Sequence, residues 1–401
     1  MGALVNVGGI SAGKDTMAFV KTSPISYPLP AIQRVSFASE FPSSPFEELA
    51  KLPQGFPEFV DKPMAWKGHQ FADETEYIYT LNTFEINELE CALGTFKVLG
   101  LDGDLVSPTN FQLPTLGPKL RILRHDIYNG KGFGVIRGLC PQRYSVEDLT
   151  ILYLGLQSYI ANQIGRQDEK GNMLVHIVAD NSTKLSAGHH RHSKQPITFH
   201  NEESGDIISW LTRSTAISGG NCIISPAYTV YNILAARRPD IIHTLALDDW
   251  PFAMPRFQRR SLLFYHEGNL ILNFGRVPLV GNDANPRPQF LPNVNWRQSE
   301  SLEAIDAIAE SVRLGIATKP GDIHFVNNLA IMHRREGFID GEVPEEKRHL
   351  VRTRLRDEQF GWKLPDCLEQ QWSVAFNNAG PTVWHLEPMP TGYFPLRTQC
   401  N

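Results

Sequence analysis

Pro196-Ile197-Thr198-Phe199-His200-Asn201-Glu202 runs into the turn-rich Glu203-Ser204-Gly205-Asp206. Its first four residues predict a short strand. If the backbone stays extended beyond them, His200 and Glu202, two residues apart, point to one side. A second stretch, Gly321-Asp322-Ile323-His324-Phe325-Val326-Asn327-Asn328-Leu329-Ala330-Ile331-Met332-His333, reads as a turn and a strand with a terminal histidine. A third, Lys347-Arg348-His349-Leu350-Val351-Arg352-Thr353-Arg354-Leu355-Arg356-Asp357, places Arg348, Arg352, Arg354 and Arg356 on one face by the strand's period of two, with Leu350 among them.

Outward from these stretches, further strands are predicted over Gly132–Leu139, Leu174–Val178, Asp206–Leu211, Asn221–Ser225, Ser261–Phe264, Leu270–Phe274, Ile323–Asn327 and His349–Leu355. Helical spacing marks Thr83–Val98, Ser145–Ile164 (with Ser145 as N-cap), Ala227–Arg237 and Ser299–Leu314. A Pro- and Leu-rich stretch, Phe111–Leu120, interrupts the pattern. Many short strands with a few helices predict a mainly β protein, a sandwich or barrel core with flanking helices. Residues 1–35, rich in Gly, Ser and Pro, read as a flexible lead-in, and 36–401 as a single domain. Within the lead-in, Gly8 to Asp15 nearly spells a phosphate-binding loop. Asp15 stands where that loop needs a hydroxyl for Mg²⁺, and no buried strand precedes it.

The 401 residues carry a net charge of −5, with 42% hydrophobic and 20% charged residues. This balance suits a folded globular chain and gives no broad basic footprint for nucleic acid or an anionic membrane. Five scattered cysteines without metal-type spacing fit a reducing, cytoplasmic setting. Neither a secretory signal nor a run of eighteen apolar residues is read, and Asn6 stands where a myristoylation signal wants Ser or Thr.

The chemistry is sought among the thirteen histidines. Two histidines and one carboxylate on a common face, with other coordination positions open, form the facial arrangement of non-haem Fe(II) oxygenases. Zn or Mn could take the same donors. The arginine face asks for an anion, since stacked like charges repel and a guanidinium fork suits a carboxylate; the bland reading is a basic edge strand that blocks aggregation. His189, His190 and His192 lack a fourth zinc ligand and read better as part of a loop at the barrel mouth. His324 reads as a satisfied core histidine or one packed behind the ligands; His125, His176, His243 and His349 read as structural, and Trp210, Tyr228, Trp250 and Phe338 as core. Without a Gly-x-Ser-x-Gly elbow or a cysteine in a catalytic setting, covalent hydrolysis is a poor competitor.

In order, Gly132 to Gly138, His200 to Asp206, Ser218-Gly219-Gly220-Asn221, Gly321 to His333 and Arg348 to Arg352 resemble the taurine dioxygenase-like (clavaminate synthase-like) family of Fe(II)/2-oxoglutarate-dependent oxygenases, most of all its fungal members. The match spans roughly residues 60–400. The resemblance implies a double-stranded β-helix, the cupin-like jelly-roll, with Fe(II), 2-oxoglutarate and O₂ as cofactor and co-substrates. It implies His200, Glu202 and His333 as iron ligands, Arg348 on the distal carboxylate of 2-oxoglutarate, and Arg352 near the other carboxylate or the substrate. Cys222 falls where many relatives have a Thr that helps hold 2-oxoglutarate, and a thiol is a poor donor for that contact. Most of the family has Asp where this chain has Glu202; clavaminate synthase-like enzymes that oxidise free amino acids have Glu. A retained carboxylate argues against halogenation. The surplus arginines Arg352, Arg354 and Arg335 point to a small carboxylic or amino acid as substrate, oxidised with release of succinate and CO₂ by hydroxylation, desaturation or ring closure, in specialised metabolism. The alternative is a jelly-roll binding protein without turnover.

Overall fold

The computed structural model describes residues 51–168, 170–179, 193–283, 285–377 and 382–388. The 1–35 lead-in with its Gly8–Asp15 loop, the boundary at 35/36, and the His189, His190 and His192 cluster all lie outside the described residues.

Two sheets dominate. With labels in chain order, the larger runs β1 (Ile78–Thr80), β2 (Phe133–Arg137), β14 (Ile323–Asn327), β6 (Ile207–Ser214), β17 (His349–Arg356) and β3 (Gln163–Gly165), with β4 (Val175–Val178) also pairing β17. The smaller runs β13 (Leu314–Ile316), β8 (Cys222–Pro226), β15 (Ile331–Arg335) and β5 (Ile197–His200). Three ribbons complete the described strands: β7 (Ser218–Gly219) with β16 (Phe338–Ile339), β9 (Trp250–Phe252) with β10 (Gln258–Arg260), and β11 (Leu263–His266) with β12 (Asn269–Leu272).

Alternation along the strands assigns the two faces. Phe133, Val135, Ile208, Trp210, Val326 and Leu350 of the larger sheet meet Cys222, Ile224, Leu314, Ile316 and Ile331 of the smaller in one buried cluster, the inside of a jelly-roll. The intervening residues, Ile136, Leu211, Phe325 and Val351, belong to a second cluster shared with the helices. Of these, α1 (Thr83–Val98), α2 (Leu116–Tyr128), α3 (Val146–Gln157) and α8 (Asp366–Phe376) supply Leu89, Leu120, Leu152 and Trp372. Three more, α4 (Ala227–Arg237), α5 (Pro239–Ala246) and α7 (Trp296–Val312), supply Tyr231, Ile242 and Ile305, while the short α6 (Arg276–Val280) supplies Leu279.

The helix expected over Ser145–Ile164 begins as read, Ser145 Oγ accepting the Asp148 N–H at 3.0 Å, but stops at Gln157. Gln163–Gly165 is instead the edge strand paired with Arg354–Arg356 of β17, so tertiary pairing overrides the helical spacing. Leu314, expected to close α7's helix, opens β13. The stretch through His333 is two strands on two sheets: β14 ends at Asn327, the chain crosses over, and His333 sits in β15. Gly321 permits the turn before β14 with φ +89°, and a Cβ there would lie 1.8 Å from the Leu139 carbonyl oxygen.

Candidate metal centre and its cavity

His200 ends β5 directly opposite His333 of β15, ring centroids 4.4 Å apart. His200 Nδ1 lies 2.9 Å from the Thr198 carbonyl oxygen, which fixes the orientation of the ring. Two residues past the strand, Glu202 is held by its backbone: its N–H donates to Asn328 Oδ1 (2.7 Å), and its carbonyl accepts from Asn328 Nδ2 (3.0 Å) and Asn273 Nδ2 (3.2 Å). One ligand atom from each of His200, Glu202 and His333 lies within 4.8 Å of the others. Burial pushes the His333 imidazole down to about 3, so the ring is neutral and able to ligate; its Nδ1 is buried without a hydrogen-bond partner. Two imidazoles and one carboxylate at this spacing fit a divalent first-row metal such as Fe(II).

The Glu202 carboxylate has further partners. Its Oε1 accepts from Arg352 Nη1, and Oε2 lies 3.7 Å from Arg354 Nη2. Arg352 also donates to Gln167 Oε1 (3.0 Å), and Arg354 to Ser204 Oγ (3.1 Å). Part of the anion that the arginine face requires is thus supplied by the chain itself. Ionised carboxylate oxygens retain lone pairs for a metal beside such a pair.

Glu202 and the two histidines open onto a cavity of about 600 Å³, whose wall includes Trp210, Cys222, Arg348, Leu350 and Arg352. Arg348, Leu350 and Arg352 therefore share a face, as the period of two predicts. Arg348 precedes β17 and is buried. Its Nε donates to the Gly220 carbonyl (3.2 Å), its backbone N–H to Asp340 Oδ1 (2.8 Å), and its guanidinium sits 5.4 Å from the centre of the Phe338 ring. Burial lowers it to about 10, which still leaves a cation at neutral pH. The same cause raises the Cys222 thiol to about 12, so it stays protonated. Gly220, at φ +75°, makes room for this arginine, since a Cβ there would lie 3.0 Å from Arg348 Cδ.

Trp210, read as core, is buried between the sheets as expected and also lines the metal-side cavity. One reading needs correction. His324 is buried as expected but not satisfied: it stacks on Trp210 (centroids 4.9 Å, interplanar 12°), burial lowers it to about 4, and neither ring nitrogen has a hydrogen-bond partner. His176 and His349 pack as structural groups, His176 Nδ1 2.8 Å from His349 Nε2. Asn328, Asn273 and Gln167 escaped the sequence reading. For Asn328 the one available signal was the Asn327-Asn328 pair inside the quoted stretch; a lone Asn or Gln elsewhere carries none.

Comparison with known proteins places this geometry. Residues 97–354 match the family model of the taurine catabolism dioxygenase TauD, TfdA family. The chain is 35% identical over 346 residues to the taurine hydroxylase-like protein SAT17 of Stachybotrys chartarum, covering 82% of this chain and 89% of that one. It is 21% identical over 333 residues to the FR-33289 synthase of Streptomyces rubellomurinus, covering 79% and 97%. In fold it is similar to asparagine oxygenase in complex with Fe(II), 2S,3S-3-hydroxyasparagine and succinate, with a TM-score of 0.53 and 15% identity over 70% of this chain and 93% of that one. It is likewise similar to the non-heme iron oxygenase OrfP in complex with Fe and alpha-ketoglutaric acid, with a TM-score of 0.52 and 15% identity over 70% and 94%. A family match over most of the chain, carried on a jelly-roll with a His-Glu-His cluster, makes this chain a member of the TauD/TfdA family of oxygenases that use Fe(II), 2-oxoglutarate and O₂.

Proposed function

We propose that His200, Glu202 and His333 hold the iron, that Arg348 grips the distal carboxylate of 2-oxoglutarate, and that the enzyme oxidises a small amino-acid-like or other carboxylate-bearing substrate, by hydroxylation, desaturation or ring closure, in specialised metabolism. The observation that carries this reading is a single cavity walled by the three clustered ligand residues and by buried, cationic Arg348. With iron bound, the cofactors supply oxidation of the substrate coupled to release of succinate and CO₂.

The chain's own residues bind, orient and keep water out. Thr198 aims the His200 ring, Asn328 and Asn273 fix the backbone of Glu202, and Arg352 with Arg354 balances the charge of its carboxylate. Arg348 offers a fork suited to bidentate contact with a carboxylate in a site shielded from solvent. Cys222, a protonated thiol on the same wall, gives only a weak contact there. Arg335 also lines the cavity and suits a substrate carboxylate, whereas Arg334, on the same wall, is paired with Glu310 (2.9 Å). Two structural neighbours support an amino-acid-like substrate, the asparagine oxygenase bound to 3-hydroxyasparagine and OrfP bound to L-homoarginine.

Anaerobic visible spectroscopy of the purified apo-protein given Fe(II) and 2-oxoglutarate tests the assignment. A metal-to-ligand charge-transfer band is expected in the parent, lost or weakened in Glu202→Ala and Arg348→Ala. Succinate release with a panel of amino acids then reads out the substrate. A folded parent that forms no band would sink the cofactor assignment to these residues.

A further inference from the structure

Past Arg348 the jelly-roll interior turns from apolar to hydroxylic. A second cavity of about 540 Å³ shares Arg348 and Leu350 with the metal-side cavity and is walled by Thr212, Ser214 and Thr318. The inward row of β6 divides between the two: Ile208 and Trp210 face the first, Thr212 and Ser214 the second. Thr212 pairs with Leu350 across β6 and β17, and Leu350 lies two residues beyond Arg348. The hydroxyl and the guanidinium therefore occupy neighbouring positions on one inner wall.

The hydroxyls of this cavity differ in what they bind. Ser214 Oγ donates to the Lys347 carbonyl (2.5 Å), and Thr318 Oγ1 to the Ile316 carbonyl (3.4 Å). Thr212 is fully buried; its N–H donates to the Asp322 carbonyl (2.9 Å) and its carbonyl accepts from Gly321 (2.8 Å), yet its Oγ1 has no hydrogen-bond partner. A buried hydroxyl left unpaired is costly, and this one stands beside a buried cation that itself calls for an anion. The nearby thiol of Cys222 is a poor donor.

We propose that the Thr212 hydroxyl acts with Arg348 to bind the distal carboxylate of 2-oxoglutarate, supplying the donor that Cys222 does not. This rests on the assignment of Arg348 above. A hydroxyl and a guanidinium on one carboxylate favour a 2-oxo acid with a second carboxylate over one without it.

The test titrates the Fe(II) protein anaerobically with 2-oxoglutarate and with 2-oxopentanoate, which lacks the distal carboxylate, following the charge-transfer band. Thr212→Val is expected to weaken 2-oxoglutarate binding about tenfold or more, as loss of a hydrogen bond to a charged group does. The affinity for 2-oxopentanoate should not change, Thr212→Ser should restore the parent value, and adding Cys222→Thr to Thr212→Val should recover part of the loss. Thr212→Cys serves in place of the valine variant if the latter does not fold. Unchanged 2-oxoglutarate affinity, or equal weakening of both ligands, overturns the inference while leaving the cofactor assignment intact. A parent without a band overturns that assignment first, and this inference with it.

Discussion

Glu202 is placed for two tasks, since its carboxylate is one of three clustered groups that could hold a metal ion and also the counter-charge of Arg352 and Arg354. Both arginine side chains are nearly inaccessible to solvent, so Glu202→Ala strands two buried cations. A loss of about 3 kcal/mol or more in metal-free stability is expected, the usual result of removing one partner of a buried pair; urea unfolding in the presence of a chelator measures it. Asp206 shows the opposite imbalance. Its Oδ1 accepts from Trp372 Nε1 (2.7 Å), its Oδ2 has no partner, and burial raises the carboxyl to about 7. A raised carboxyl favours the folded state below the unfolded value near 3.8, and that advantage is lost as pH climbs to about 7. Asp206→Asn, which keeps the acceptor for Trp372, should therefore be more stable than the parent at pH 8, with the gap narrowing as pH falls from 7 to 5; melting temperatures across that range decide it. His200, Glu202, His333 and Arg348 stood out in the sequence because few side chain types can ligate metals or fork onto carboxylates, and the structure brings them to one cavity. The amides of Asn328 and Asn273 could not be so read, because their role exists only once the chain between β14 and β15, and the residue after β12, are folded against the turn after β5.

Among the elements, α1, α4 and β14 have the bounds that periodicity predicts, each carrying its own signal: an Asn82 cap on α1, Pro239 after α4, and a glycine turn before β14. The helix α2 was missed because Pro118 lies in its first turn, where proline costs nothing. Its capping also comes from elsewhere, the Glu88 carboxylate of α1 accepting the N–H groups of Thr115 (2.6 Å) and Leu116 (2.9 Å). The crossover between β14 and β15 is the element on which the site depends. Asn328 joins it to the Glu202–Gly205 turn through both ends of its amide, with Nδ2 also 3.0 Å from the Gly205 carbonyl. Asn328→Ala should weaken binding of Fe(II), or of Co(II) as a spectroscopic stand-in, by roughly 10–100-fold, the range typical of groups that support a ligand from behind; metal titration followed by absorbance measures this.

For the molecule as a whole, an apolar sandwich has polar groups set into its middle: Arg348, Thr212, His324 and His333 are placed between the sheets or at their edge. Ligands that satisfy such groups bind only the folded state, so metal and 2-oxoglutarate together should raise the melting temperature. A hundredfold excess over Kd corresponds to about 2.7 kcal/mol for a single site; a scan with Co(II) or Mn(II) under argon, with and without 2-oxoglutarate, checks it, and no shift would contradict a preformed site. A mainly β sandwich or barrel followed from many short strands, and the jelly-roll from the family resemblance, whereas sheet order could not be read, because pairing partners such as β2 with β14 lie far apart along the chain. No helix among the described residues is long and apolar enough to cross a membrane.

The strand β17 also acts as a ruler. It pairs with β3, β4 and β6, so its residues cannot slide independently, and Arg348, Leu350, Arg352 and Arg354 are graduations at fixed intervals along the inner wall. Deleting any one residue between Arg348 and Arg352 would carry Arg348 to the helix-covered side while Arg352 stayed in place. Length changes in this strand are therefore forbidden by chemistry even where the sheet could absorb them.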